Sequence, residues 1–185
     1  MIPKKDFYFI RHGQTDHNKL LTKTDHGDIS LNLTGKEQAR NIAPLVSQIP
    51  LQTICYSPLK RAKETKELIL PEREHIELDA LGECRAEIWS EMTSLHADAY
   101  RKGSLVTRNF LQQVKHGLNQ ALEQIGPVLI VAHGGVHFTI CHWMNIPEHS
   151  WVIGNCQLVH FSTDKSTDEW KATILQTNTT QSLKV

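Results

Sequence analysis

Two basic residues and a glycine follow the first apolar run of the chain. The run covers residues 7–10 and leads directly into Arg11, His12 and Gly13. A short apolar run suits a buried strand, and the residues that follow such a strand lie at the sheet edge where α/β proteins hold ligands. Glycine lets the backbone turn sharply and brings N–H groups close to an anion. Taken alone, the pattern is also compatible with a surface turn that carries a basic pair.

A second arginine, Arg61, lies at a predicted helix start. Ser57 and Pro58 follow the apolar stretch 53–56, and serine is a favoured N-cap while proline is a favoured first helical residue. Arg61 then lies in the first turn of the helix. The partial positive charge there disfavours a cation by roughly 0.3–1 kcal/mol unless an anion lies in front of it.

Two further candidates come later in the chain. The apolar run 127–132 predicts a buried strand that ends at His133, and Glu83 lies in a polar stretch after the predicted strand 75–78. Arginines offer planar forks that match phosphate oxygens, imidazoles can supply a nucleophile and a hydrogen-bonding partner, and a carboxylate can carry a proton. The candidate set for this chemistry is Arg11, His12, Arg61, Glu83 and His133.

Four segments resemble, in the same order, those of the histidine phosphatase superfamily, also called the phosphoglycerate mutase-like family. The resemblance covers most of the chain, and four matches in order are specific where a single one would be weak. The segments are Arg11–Thr15 with Asn18, residues 31–39 (LNLTGKEQA), residues 57–65 (SPLKRAKET) and residues 131–135 (VAHGG).

The resemblance implies a covalent mechanism in which His12 attacks phosphorus and carries the phosphoryl group. It implies no metal and no cofactor, because cationic side chains neutralise the charge on the phosphoryl oxygens. His12 must be neutral to attack, and its ordinary pKa is near ~6.5. Two neighbouring cations would lower that pKa, whereas a bound phosphate dianion would raise it. The implied phosphate-binding residues are Arg11, Asn18, Arg61, His133 and Gly134.

The resemblance also assigns proton transfer to Glu83, first as acid for the leaving alkoxide and then as base for water. Phosphatase members continue this segment as Glu-x-x-x-Gly-x-Trp-Glu-Gly, whereas this chain reads ECRAEIWSE. Glu83 and Trp89 keep their places, but Glu87 and Glu91 stand where glycines are expected. We therefore expect a different backbone path and keep Glu87 as an alternative proton carrier. The simpler interpretation of Glu87 and Glu91 is a solvated helix face.

The order of predicted elements indicates a three-layer α/β/α sandwich with a mostly parallel central sheet. Thr34 is the expected N-cap of the first helix with Glu37 as its capping-box partner, although the family register starts that helix nearer Asn32. The last two strands are expected to be antiparallel. Predicted strands are 7–10, 53–56, 75–78, 128–132, 157–161 and 170–175, and predicted helices are 33–47, the segment after Ser57, 105–124 and 135–144.

Composition excludes several classes of protein. The 20 Lys and Arg residues balance 20 Asp and Glu, so no footprint for nucleic acid or an acidic membrane is visible. No run reaches the ~20 apolar residues of a membrane span, and no signal-peptide pattern is present. The four cysteines form no Cys-x-x-Cys pair, which favours reduced thiols and a cytoplasmic location. A length of 185 residues predicts one domain, 1–185, with 177–185 as a loosely ordered tail.

Two other functions remain alternatives to a phosphatase. A cofactor-dependent phosphoglycerate mutase needs a longer cap, whereas His133 follows Glu83 by only 50 positions and the Glu-Arg-x-Tyr-Gly continuation of the mutases is absent. A phospho-ligand binding module of the same fold would require loss of His12 or of its acid. The unusual acid segment keeps that possibility open.

Hydrolysis of a small phosphorylated metabolite, such as a sugar phosphate or a nucleotide-derived monoester, is the favoured function. The residues expected to face the leaving group lie between residues 18 and 30 and between residues 85 and 108, and both stretches are mixed in charge. No exposed apolar groove for a phosphoprotein is legible in the sequence. No feature indicates an oligomeric state.

Overall fold

Strands and helices alternate along the described parts of the chain, which in this computed structural model are residues 2–17, 28–73, 75–146 and 153–175. The predicted tail, 177–185, lies outside them. The elements are β1 (Phe7–Arg11), α1 (Leu33–Val46), β2 (Thr53–Tyr56), α2 (Lys60–Ile69), β3 (His75–Glu77), α3 (Ala86–Leu95), α4 (Ala99–Lys102), α5 (Leu105–Leu122), β4 (Val128–Ala132), α6 (Gly134–Met144), β5 (Leu158–Thr163) and β6 (Trp170–Leu175), with 3₁₀ turns at Asp79–Leu81 and His96–Asp98.

The described strands form one mixed sheet in the order β3-β2-β4-β1-β5-β6. The first four are parallel to one another, whereas β5 is antiparallel to β1 and β6 is antiparallel to β5. This confirms the predicted, mostly parallel sheet. Arg11 pairs with Ala132 and Tyr56 pairs with Val131. The carboxyl ends of β1, β4 and β2 are therefore level at one edge of the sheet.

Strand β4 is buried on both of its faces, which explains its unbroken apolar sequence. Val128 and Ile130 pack in a core cluster that includes residues of α5 and α6. Leu129 and Val131 pack in a second cluster with residues of α1 and α2. Helices thus cover both faces of the sheet, and the predicted three-layer sandwich is confirmed.

Helix α1 begins two residues earlier than the Thr34 cap would place it. The N-cap is Asn32, whose side-chain oxygen accepts from Gly35 N at 2.8 Å. Its amide nitrogen also donates to Gln14 Oε1 at 3.0 Å. The prediction of Thr34 as N-cap is wrong, because this contact with the turn after β1 favours Asn32. The helix start near Asn32 that the family resemblance implies is confirmed.

Helix α3 agrees with the interpretation of Glu87 and Glu91 as part of a helix face, whereas α4 was not predicted. Helix α3 also has a helical signal in its apolar residues, because Ile88, Met92 and Leu95 recur at helical spacing and pack in or against the core. The chain after Glu83 thus forms a helix, and whether its path differs from that of other superfamily members stays a prediction.

Candidate active site

The side chains predicted to do chemistry lie at one edge of the sheet, after the ends of β1, β4 and β2. His12 N donates to Ala132 O at 3.0 Å, and Ser57 N donates to Val131 O at 3.0 Å. His133 follows β4 directly as the N-cap residue of α6. Three adjacent strands therefore deliver His12, His133 and Ser57 side by side, at the edge where parallel sheets hold ligands.

His12 has only 2% of its surface exposed, and its own turn orients its ring. Nδ1 lies 2.7 Å from the carbonyl oxygen of Gly13. Because a carbonyl only accepts, Nδ1 carries the proton and Nε2 keeps the lone pair. Burial lowers the pKa of His12 well below its ordinary value, and the charges of Arg61 and Arg11 lower it further. The imidazole is therefore neutral near pH 7, with its lone pair on Nε2.

Hydrogen bonds from two helices fix the turn after β1. Gly13 N donates to Thr65 Oγ1 at 3.0 Å, and Gln14 N donates to Gln38 Oε1 at 2.9 Å. Gly13 lies so close to Gly35 that a Cβ on Gly13 would be 2.4 Å from the Gly35 oxygen. Only glycine permits this approach of the two backbones. Two residues of the Thr-Gly-x-x-Gln pattern at the start of α1, Gly35 and Gln38, thus contact this turn.

Arg11, the last residue of β1, has one side of its guanidinium anchored. Nη1 donates to Ile153 O at 2.7 Å, whereas Nε is buried and has no hydrogen-bond partner among the described residues. Burial lowers the pKa of Arg11 and the charge of Glu83 raises it. Gly134 lies beside the guanidinium, since a Cβ there would be 3.9 Å from Arg11 Cζ. The unpartnered N–H is therefore a donor that an anion can satisfy.

Arg61 brings a second guanidinium from the first turn of α2 and is 7% exposed. Burial lowers its pKa, while the negative charges of Glu83 and Asp28 raise it and Arg11 lowers it. A buried guanidinium at Arg61 and a half-buried one at Arg11 are a concentration of positive charge that an anion would neutralise.

Glu83 lies against the N-terminus of α6. Its Oε1 accepts from Cys84 N at 2.9 Å and from Gly135 N at 3.1 Å. A Cβ on Gly135 would be 2.3 Å from the same oxygen, so this approach requires glycine. Because the charge of Glu83 acts on both Arg11 and Arg61, the carboxylate belongs to the same cluster.

His133 is fully buried, and its ring centroid lies 5.1 Å from that of His12. Burial lowers the pKa of His133 well below its ordinary value, and His12, Arg61 and Arg11 lower it further. Nε2 lies 2.6 Å from Ser57 Oγ. The structure therefore brings together the five residues proposed for chemistry, with both imidazoles neutral.

Ser57 does not have the helix-capping role predicted for it. Helix α2 begins at Lys60, with Leu59 in the N-cap position. Ser57 is fully buried, and its hydroxyl contacts His133 instead. The prediction was wrong because a partner 76 positions away along the chain competes for the hydroxyl.

A sequence model of the histidine phosphatase superfamily (branch 1) matches residues 7–176. The chain belongs to this superfamily. The uncharacterized phosphatase PhoE of Bacillus subtilis is 34% identical over 135 residues, which are 68% of this chain and 69% of that protein. The broad-specificity phosphatase YOR283W of Saccharomyces cerevisiae is 26% identical over 168 residues, 77% of this chain and 71% of that protein. A mutant phosphoserine phosphatase of Entamoeba histolytica in complex with phosphoserine shares the fold, with a TM-score of 0.70 at 20% identity over 96% of this chain and 98% of that one.

The acid segment is where this member departs from the superfamily pattern. Glu87 lies in the first turn of α3 with an exposed side chain. The carboxylate whose charge acts on Arg11 and Arg61 is that of Glu83. The structure thus brings Glu83 to the two arginines and leaves Glu87 on the surface, while the proton-carrying role of Glu83 stays a prediction.

Glu91 lies on helix α3, in agreement with its interpretation as part of a helix face, and it also has a structural role. Its Oε1 accepts from Ser104 N at 2.8 Å, its Oε2 accepts from Ser104 Oγ at 2.7 Å, and Thr107 Oγ1 also donates to Oε2. These hydrogen bonds lower the pKa of Glu91. They attach α3 to the start of α5, and the sequence concealed them because both partners lie more than a dozen positions away.

Residues from the far end of the chain hold the backbone of the site, and the sequence analysis missed them. Asn155 Nδ2 donates to His12 O at 2.9 Å, and Cys156 N donates to Arg11 O at 2.9 Å. Cys156 has a φ of 52°, in the left-handed region. The local signal was the Gly-Asn pair at 154–155, which is typical of a turn but carries no indication of its partner.

The charged side chains expected near the leaving group differ in availability. Arg101 Nη2 and Lys102 Nζ pair with Asp98 at 2.8 and 2.6 Å. Arg85, by contrast, is exposed, occupies the N-cap position of α3 and follows Glu83 by two positions. Arg85 is therefore the basic residue of this segment that lies nearest in sequence to the acid.

Asn18, predicted to bind phosphate, lies outside the described residues. Within the described ranges, no group of three or more His, Cys, Asp or Glu residues could hold a metal ion. None of the helices in those ranges is long and apolar enough to cross a membrane. All four cysteines are described, and each is buried and outside any disulfide.

Proposed function

We propose that this protein is a phosphatase that hydrolyses small phosphomonoesters through a phosphohistidine on His12. The observation that carries the proposal is the orientation of the buried imidazole, whose Nδ1 donates to Gly13 O so that Nε2 has the free lone pair. The charges of Arg11 and Arg61 act on this ring. A neutral nucleophile beside two fixed cations suits attack on an anionic ester.

In the first step, Nε2 of His12 attacks phosphorus and the bond between phosphorus and the ester oxygen breaks. Protonated Glu83 gives its proton to the leaving alkoxide, which departs as an alcohol. The hydrogen bonds from Cys84 N and Gly135 N support this role because they hold the carboxyl group at the start of α6. Arg11, Arg61 and His133 would bind the phosphoryl oxygens, with Asn18 and Gly134 as further contacts.

In the second step, the Glu83 carboxylate takes a proton from water while the water oxygen attacks phosphorus. The bond between phosphorus and Nε2 breaks, so His12 returns to its neutral form and inorganic phosphate leaves. Glu83 is protonated again, ready for the next ester. The proposed cycle uses no metal, because fixed guanidinium groups neutralise the oxygens that a metal would otherwise bind.

A phosphatase is better supported than a mutase. Between Glu83 and His133 the chain forms α3, α4 and α5, and α5 contributes Leu111, Val114 and Leu118 to the core rather than a cap over the pocket. The named relatives PhoE and YOR283W are phosphatases. We assign small metabolites as substrates on the mixed charge of the leaving-group side. Four buried cysteines that form no disulfide suit a reducing compartment, and we place the reaction in the cytoplasm as part of this proposal.

The test is covalent labelling during turnover. Brief incubation with a ³²P-labelled monoester should give an acid-labile label on the wild type and none on His12→Ala, with activity of that variant reduced by several orders of magnitude. His116→Ala changes an exposed histidine of α5 and should behave as wild type. A label on His133, or full activity in His12→Ala, would contradict the assignment.

A panel of phosphomonoesters separates the alternative activities. It should include sugar phosphates, nucleoside monophosphates, and 3-phosphoglycerate with and without its bisphosphorylated cofactor. Hydrolysis without the cofactor is expected. Transfer that depends on the cofactor would favour a mutase, and binding without a phosphoenzyme burst would favour a phospho-ligand binding module.

A further inference from the structure

Ser57 and His133 form a hydrogen bond deep in the site. Ser57 Oγ and His133 Nε2 are 2.6 Å apart, and neither side chain has exposed surface. The backbone of each is fixed by β4, because Ser57 N donates to Val131 O and His133 follows the strand. The bond therefore cannot be exchanged for one to solvent without opening the core.

The direction of this hydrogen bond determines where His133 carries its proton. A neutral imidazole has one N–H and one unprotonated nitrogen. Either Nε2–H donates to Ser57 and Nδ1 has the lone pair, or the Ser57 hydroxyl donates to Nε2 and the proton lies on Nδ1. Ser57 Oγ already accepts from Leu59 N at 3.3 Å, so its own proton is available for the second arrangement.

The other ring nitrogen decides between the two arrangements. Nδ1 of His133 is buried and has no hydrogen-bond partner among the described residues. Since Ser57 occupies Nε2, Nδ1 is the atom with which His133 can meet an anion. Ionised phosphoryl oxygens accept hydrogen bonds, so a lone pair on Nδ1 would repel them whereas an N–H would donate to them.

We propose that Ser57 is a positioning residue whose hydroxyl donates to Nε2 of His133 and keeps the proton on Nδ1, from which His133 donates to the phosphoryl group. The donation to phosphate rests on the proposed function. The tautomer of His133 is a property of the free protein and can be measured without any reaction. A histidine held in this way needs no reorientation when the anion arrives.

The tautomer can be read directly from ¹⁵N chemical shifts of labelled histidine in the ligand-free protein near neutral pH. The signals of His133 are identified by their loss in His133→Gln. We expect an unprotonated Nε2 and a protonated Nδ1 in the wild type, and a population with the proton on Nε2 in Ser57→Ala. A wild-type proton on Nε2, or a Ser57→Ala spectrum with an unchanged tautomer, would overturn the proposal.

Binding of inorganic phosphate supplies a second measurement that needs no catalysis. Ser57→Ala should bind phosphate about 10- to 100-fold more weakly, by analogy with the loss seen when the hydrogen-bond partner that orients a metal-binding histidine is removed. Ser57→Thr keeps the hydroxyl and should recover most of the affinity. Thr107→Val removes an equally buried hydroxyl away from the pocket and should have wild-type affinity.

The outcomes separate this inference from the proposed function. Equal losses in Ser57→Ala and Ser57→Thr would mean that packing rather than the hydroxyl matters, and would overturn the inference. A wild type that has the expected tautomer and binds phosphate, but hydrolyses no monoester on the panel, would refute the proposed function and support the inference.

Discussion

The two sides of the candidate site are built differently. On the side proposed to bind phosphate, His12 and His133 follow buried strands, are 2% and 0% exposed, and are held by backbone hydrogen bonds. On the side proposed to face the leaving group, Arg85 and Glu87 are exposed at the start of α3, and other charged residues of the segment pair with one another. The proposed reacting groups thus depend on the ends of parallel strands, while the side that would select a substrate depends on peripheral helices.

Replacement of each candidate acid by glutamine tests which side of the site supplies the proton. Glu83→Gln should slow hydrolysis of alkyl phosphates by about 10²–10⁴-fold, the usual contribution of a general acid, and should slow p-nitrophenyl phosphate far less. Its pH profile should lose the alkaline limb. Glu87→Gln is the matched control and should change neither substrate. If only Glu87→Gln slows alkyl phosphates more than p-nitrophenyl phosphate, the acid is the exposed Glu87 and not Glu83.

Replacement of the planar guanidinium of Arg61 by the single ammonium group of a lysine tests the side proposed to bind phosphate. Arg61→Lys keeps the charge but loses bidentate geometry, so kcat/KM should fall by about 3–4 kcal/mol in transition-state stabilisation. Steady-state kinetics on the same monoester measures this. A fall of less than about tenfold, or ~1.4 kcal/mol, would place Arg61 outside contact with the phosphoryl group.

A pair of neighbouring glycines tests how the sides are joined at α6. In Gly135→Ala the new Cβ would lie 2.3 Å from Glu83 Oε1 and 2.7 Å from Cys84 Sγ, so the carboxylate and the buried thiol must both move. Since a displacement of about 1 Å can cost ~100-fold, kcat should fall on that scale. In Gly134→Ala the nearest atoms of Arg11 are 3.9 Å away and the backbone N–H proposed to contact the phosphoryl group is kept, so activity should fall much less. Similar activities in the two variants would show that the acid is not held by α6.

The smallest expected effect comes from the two buried imidazoles and concerns how the free energy of unfolding depends on pH. Burial lowers the pKa of His12 and His133 in the folded state, so the unfolded chain binds more protons below its ordinary histidine pKa of ~6.5. Stability should therefore fall as pH drops below ~6.5, by up to about 1.4 kcal/mol per pH unit for each histidine. Urea unfolding at several pH values should give a shallower dependence for His12→Asn. Exposed His116→Asn should keep the wild-type slope, and an equal slope in all three proteins would contradict the assignment.

The sequence predicted the features that depend on local patterns and missed those that depend on distant partners. The apolar runs before His12 and His133 located the strands, and from them the edge of the sheet where the site lies. The cap of α1 and the role of Ser57 were mispredicted because local capping rules do not include distant partners. The hydrogen bonds of Glu91 to Ser104 and Thr107 were not predicted for the same reason. Asn155 had only a turn signal, since a bond to the other end of the chain leaves no local pattern.

The long-range bonds that hold the candidate site also determine when in folding the site can form. Gly13 bonds to Thr65 across 52 positions, Ser57 to His133 across 76, and Asn155 to His12 across 143. Contacts of such separation carry a large loop-closure entropy and form late. Amide hydrogens of the turn after β1 should therefore exchange with solvent only through global unfolding, and a fragment that ends before Asn155 should not form the site.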